Sequence, residues 1–209
     1  MSRSALLACG VLSSLLYVAT DIFGALTWEG YTYASQAISE LGAIGAPSRP
    51  YVSPLFLAYD LLLLAFGIGV RGVAGRASPL RLTGAALIAI GAIGLVATQF
   101  PMQLRGTPRA LTDTMHIALT AVTVLCILLA IGLGAKAFGK GFRFYSYGTI
   151  LVMLVFGILA ALDGPRLAAN LATPYLGITE RINVGAYLLW VAVLSIALLR
   201  SRTPDPEPV

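Results

Sequence analysis

Six apolar runs, each close to the length of a membrane crossing, constrain this chain more than any other feature. They cover residues 5–28, 51–70, 82–100, 115–138, 144–162 and 182–199. A helix rises 1.5 Å per residue, so about 20 residues cross a hydrocarbon core of about 30 Å. Runs of this length are too long for strands and show no alternation of apolar and polar residues. A lipid interior offers backbone groups no partner, so each run is predicted to be a helix. Composition agrees. The chain is 58% hydrophobic and only 11% charged, with a mean hydropathy of +0.86, whereas a soluble domain is about 25% charged. The expected fold is all-α: an integral membrane bundle of six transmembrane helices, one domain over residues 1–200. A disordered Pro-rich tail, "SRTPDPEPV", is expected over 201–209.

Orientation follows from the basic residues near the span ends. Arg3, Arg71, Arg76, Arg81, Lys136, Lys140, Arg143, Arg200 and Arg202 fall on one side; Arg49, Arg105, Arg109, Arg166 and Arg181 fall on the other. The richer side is expected to be cytoplasmic and to hold both termini, in a multi-pass protein of the plasma membrane. The longer loops lie on the outer side and carry most of the acids: Glu29, Glu40, Asp113, Asp163 and Glu180. The basic residues are scattered rather than gathered in a stripe, so no nucleic-acid partner is expected. "LLAC" at residues 6–9 has the form of a lipoprotein cleavage box. The apolar stretch before Cys9 is short for a signal peptide and continues well past it, so an uncleaved first helix is expected. Neither Cys9 nor Cys126 suggests a disulfide or a metal cluster.

Polar residues inside the spans point to a site. Asp21 lies about 10 Å below the outer end of the first helix and Asp60 about 13 Å into the second. A carboxylate at the centre of a lipid-facing helix costs about 2.5–3.5 kcal/mol, so both are expected to face one shared interior space. Asp113, His116, Thr120 and Thr123 step by three, four and three, which makes one stripe on the fourth helix. Glu180, Asn183, Tyr187 and Trp190 repeat the pattern on the sixth, with Thr179 as the expected N-cap. Thr98 and Gln99 end the third span, and Asp163 and Arg166 follow the fifth. Nearly all polar groups therefore fall in the outer half of the bundle, which predicts a polar cavity opening outward. "SQAISELGAIGAP", residues 35–47, is expected to fold over its mouth as a short helix or re-entrant turn, with Glu40 seeking a donor among His116, Arg105, Arg109 and Arg181.

Structural roles compete with each functional one. Asp21 could pair with Arg105 or Arg181 and serve packing alone. His116 could be an interfacial histidine, Tyr187 and Trp190 core aromatics, and Trp28, Tyr31, Tyr33 and Tyr51 an aromatic belt. Gly91, Gly94, Gly132 and Gly134 are expected at close helix contacts.

Several stretches resemble a known family. An Asp late in the first helix, "ISELGA" in the first outer loop, "QFPMQLRGTPRALTDTMHIALT" across the third loop and "ERINVGAYLLWVAVLSIALLR" near the end are similar to the six-helix prokaryotic membrane family catalogued as domain-of-unknown-function family 998. The resemblance covers nearly the whole chain and implies six membrane helices without implying an activity. The matching positions are Asp21, Ser39, Glu40, Phe100, Pro101, Asp113 and His116. Gln103 stands where an acid often follows FP in that family, which weakens a metal site built there.

Three classes of function fit these residues. The first is binding or movement of a lipid or small amphiphile, with polar anchors among Asp21, Glu40, Asp60, Gln99 and Arg105, and among Arg166, Glu180, Arg181 and Asn183. The second is an intramembrane hydrolase or transferase acting on a lipid, with Ser39 as nucleophile, His116 as base and Asp113 as its orienter. The third is an accessory subunit held by membrane-complex partners or by a second copy of the chain. One histidine is thin for catalytic zinc, which takes two or three nitrogen or sulfur ligands, so no metal and no cofactor is expected.

Overall fold

A computed structural model describes residues 2–75 and 78–201. The proposed tail from residue 202 onward, and Arg76 in the basic count, lie outside the described residues. Among the described residues, six helices are long and apolar enough to cross a membrane: α1 (Arg3–Leu26), α2 (Arg49–Val73), α3 (Pro79–Ala97), α4 (Leu111–Gly134), α5 (Lys140–Leu162) and α7 (Leu176–Arg200). Between the last two, α6 (Gly164–Ala168) adds a short turn, and a 3-10 helix covers Ile38–Gly42. The helices begin where local chemistry permits. The Ser2 hydroxyl accepts the Ala5 N–H at 3.2 Å and the Ser78 hydroxyl the Leu80 N–H at 3.2 Å, each satisfying a donor left over in a first turn. Pro79 takes the first position of α3, where no N–H is needed. One expected cap differs. α7 starts at Leu176, so Thr179 lies within its first turn and donates to the Tyr175 and Leu176 carbonyls. The Ile178 N–H is instead taken by the Ala34 carbonyl at 3.1 Å, so a loop residue relieves the helix start.

The helices pack in the cyclic order α4, α3, α2, α1, α7, α5, and the ring is weakest between α5 and α4. Away from the cap, the bundle has an apolar core. Leu7, Leu63, Phe66, Val70, Leu87, Ile131, Trp190 and Leu194 are buried completely. Ser195 donates to the Leu7 carbonyl at 2.6 Å and Ser14 to the Leu188 carbonyl at 2.8 Å, tying α1 to α7. Trp190 Nε1 donates to the Ser146 hydroxyl at 3.0 Å, tying α7 to α5. α2 and α3 touch backbone to backbone: a Cβ on Gly67 would stand 2.7 Å from Ile88 N, and one on Gly84 2.7 Å from Arg71 N, the small-residue contact that lets membrane helices approach. Gly91 and Gly134 also face close neighbours, whereas Gly132 faces open space. Large apolar side chains such as Leu26, Leu125, Leu129 and Phe144 point outward. Contiguous apolar surface on this scale suits lipid, not water.

Both described ends of the chain, α1's start and α7's finish, lie opposite the cap. On the positive-inside count they should face the cytoplasm. In a chain lacking Cys9 and Cys126, an impermeant maleimide should label Thr107→Cys in intact cells and Lys140→Cys only after permeabilisation. The reverse pattern would invert the topology.

Candidate functional site

The cap is built on two arginines. Arg181, from α7, meets Asp21, from α1, as a fork: Nε to Oδ2 at 3.0 Å and Nη2 to Oδ1 at 2.8 Å. It also donates to the Tyr33, Gln36 and Gly177 carbonyls and to the Tyr31 hydroxyl. Its guanidinium carbon stands 3.5 Å from the centre of the Tyr33 ring, close enough for a cation–π contact. Tyr33 donates its own hydroxyl to Asp21, and Tyr31 donates to the Gln36 and Ala37 carbonyls. Burial pushes both phenols up from their ordinary value, so both remain donors at neutral pH. The two tyrosines therefore do more than form an interfacial belt.

Arg105, from the loop between α3 and α4, meets Glu40 of the 3-10 helix in the same way, with contacts of 3.0 and 2.7 Å. Glu40 is only 2% exposed. Its Oε1 also accepts the Ala37 N–H at 2.9 Å. Arg105 continues to the Thr173 hydroxyl and the Ser35 carbonyl, and so joins three loops. Glu180 accepts the Ile38 N–H at 2.7 Å. The loops are further zipped where the Ile44 N–H meets the Met102 carbonyl at 2.8 Å, and Gly45 makes the turn there with φ +91°. Residues 38–42 thus lie over the bundle as a short helix.

Beneath this cap is a cavity of about 540 Å³, lined mostly by apolar side chains. Of the candidate residues, Ser39, Asp60, His116, Glu180 and Asn183 line it. Asp21 does not: it is buried against Arg181, which corrects the expectation that it shares a space with Asp60. Gln99 is exposed and its side chain donates to the Thr98 hydroxyl at 3.3 Å, and Arg166 is exposed, donating to the Ala172 carbonyl at 2.9 Å and standing 3.7 Å from Asp163. Glu40, Arg105 and Asp113 border a second recess in the cap. The expected triad is not assembled. Asp113 gives both oxygens to backbone N–H groups, of Gln103 at 2.9 Å and of Ala110 at 2.8 Å. It therefore caps α4 and fixes the preceding loop, and makes no hydrogen bond to His116. His116 Nδ1 lies 3.2 Å from the Phe100 carbonyl. That oxygen can only accept, so Nδ1 carries the proton and Nε2 is the acceptor of the neutral ring.

Sequence reasoning missed Tyr17, Arg49, Ser53 and Tyr59, which also line the cavity. Ser53 was legible as a member of Asp60's helical face. Arg49 entered the sequence reading only through the basic count, and nothing marked Tyr59. On the other side, Ile117, Thr120 and Val124 of α4 line the cavity and are themselves exposed. Across from them stand the small Gly157 and Ala160 of α5. The cavity is therefore open along the α4–α5 seam, at the depth of the spanning helices.

This fold and cavity define a multi-pass membrane protein of six helices, with a polar cap at one end. The chain belongs to the family described as "Protein of unknown function (DUF998)", whose model matches residues 11–197. Neither the comparison with curated proteins nor that with solved structures finds a match.

Removing one partner of a buried ion pair leaves the other charge uncompensated. Arg181→Ala should therefore destabilise the protein by about 3–5 kcal/mol. Arg181→Lys should recover only part of this, because an ammonium neither forks onto Asp21 nor stacks on Tyr33 in the same way. Thermal unfolding of the purified protein in detergent measures both. Unfolding temperatures equal to wild type in both variants would show that the hub is dispensable.

Proposed function

We propose that the protein binds, or moves across part of the membrane, a lipid or small amphiphile that enters the cavity through the α4–α5 seam. The observation that carries this reading is the cavity itself: about 540 Å³, largely apolar, and open sideways between spanning helices. Its volume lies in the range of pockets that hold drug-sized ligands, about 300–1,000 Å³. A few polar groups, Ser39, Asp60, Glu180 and Asn183, supply anchors for a head group, while the apolar walls suit a chain. The cap supports the same reading. Glu40 and Arg105 brace the cavity's roof, so this pair governs whether the roof can move and the ligand can exchange.

A second reading draws on one observation. Ser39 and His116 line the same cavity, and the Nε2 acceptor of His116 would suit a base. With Asp113 engaged elsewhere, such a site would work as a Ser–His pair on a bound lipid.

Mass spectrometry of protein purified in mild detergent should find an amphiphile retained by wild type. Thr123→Trp, which fills the cavity from α4, should remove it without lowering the unfolding temperature. Glu40→Gln should weaken retention by loosening the roof. Equal retention by wild type and Thr123→Trp would overturn the cavity reading. Loss of turnover in Ser39→Ala with binding intact would replace it with the hydrolase.

A further inference from the structure

Of the four buried acids among the described residues, three are accounted for and one is not; the half-buried Glu180 also has a partner. Asp21 has Arg181, Glu40 has Arg105, Asp113 has two N–H groups, and Glu180 has the Ile38 N–H. Asp60 is 6% exposed and lines the cavity, yet among the described residues it has neither a hydrogen-bond partner nor an ion-pair partner. Its position is built rather than incidental. The carboxylate lies against Gly94 of α3, where any Cβ would overlap its atoms. A glycine at 94 therefore makes the room that Asp60 occupies.

The surroundings favour one kind of visitor. Tyr17, Phe56 and Tyr59 line the same cavity and pack ring to ring, with centroids 5.1 Å apart for Tyr17–Phe56 and 4.9 Å for Tyr17–Tyr59. Tyr187, also of the lining, is buried beside Tyr59. Glu180 adds a second acid to the lining. Among the described residues, the only Arg or Lys there is Arg49, at the start of α2, and it makes no ion pair with Asp60. An unpaired carboxylate beside aromatic faces is the arrangement that holds organic ammonium groups. An anion would meet Asp60 and Glu180 unfavourably, and a neutral alcohol would bring Asp60 no compensating charge.

We propose that the cavity is a site for a cationic amphiphile, whose ammonium head pairs with Asp60 among Tyr17, Phe56 and Tyr59 and whose apolar tail leaves toward the α4–α5 seam. This rests on the amphiphile-binding reading and names its ligand class. The ammonium can belong to a free long-chain amine or to the ethanolamine head of a lipid. A charge-assisted hydrogen bond corresponds to roughly a tenfold or greater preference over the uncharged analogue.

The test uses the full chain in maltoside detergent, with dodecylamine, dodecanol, dodecanoate and lysophosphatidylethanolamine as probes. Thermal unfolding and native mass spectrometry are the readouts. Dodecylamine or lysophosphatidylethanolamine should bind at least about tenfold tighter than dodecanol, with dodecanoate weakest. A response to the amine alone assigns a free amine, and a response to the lysolipid alone assigns a lipid head. Asp60→Asn, the same size without the charge, should lose the preference for the ammonium over dodecanol. Gly94→Ala should lose it too, by displacing the carboxylate. Equal binding of amine, alcohol and acid by wild type would overturn the cation assignment while leaving the amphiphile reading. Absence of binding by every probe would overturn both.

Discussion

Arg181 is the contact on which the architecture of the cap depends. Its guanidinium satisfies Asp21 of α1 as a fork, caps two carbonyls of the first loop, and lies on the Tyr33 ring. Each of these groups would otherwise be costly. A buried carboxylate without a partner, or a loop carbonyl without a donor, is unfavourable in a low-dielectric interior. Arginine suits the position because its donors are arranged in a rigid plane that can serve several acceptors at once. With Arg181 in place, the start of α7, the end of α1 and the loop between α1 and α2 have one mutual arrangement. The second hub, Arg105 on Glu40, repeats this logic and extends it to the loops before α4 and before α7.

The cavity is a consequence of this bracing together with an incomplete ring. The lower bundle closes through large side chains and tight glycine contacts. Near the cap, α4 and α5 stay apart while the loops hold the remaining helices in position. Asp113 contributes indirectly: by accepting the Gln103 and Ala110 N–H groups it sets the angle at which the chain enters α4. A carboxylate that looks catalytic in sequence thus turns out to hold a helix start, where negative charge is favourable.

The two classes of buried acid differ in what they ask of the environment. Asp21 and Glu40 are neutralised within the chain and stabilise its shape. Asp60 is held in place by the space above Gly94 and is offered to the cavity. Proteins tolerate such a group where a ligand or a proton supplies what the fold does not. The contrast among acids of one chain, all in the same half of the bundle, is what separates scaffold from site here.

Run length and composition were enough to define six apolar helices and to concentrate the polar groups at one end. Run length and backbone hydrogen bonding leave lipid-embedded chain no other choice. The sequence also indicated that Glu40 required a donor and that residues 35–42 would cover the bundle. It could not decide which arginine meets which acid. Arg181 and Asp21 are 160 residues apart, and Arg105 and Glu40 are 65 apart. Helical periodicity assigns a residue to a face, but the neighbour of that face depends on how every helix is rotated and tilted against the others. The same reason hid Tyr59 and Arg49 from the candidate list, drew Asp113 away from His116, and left Asp60 alone at the cavity wall.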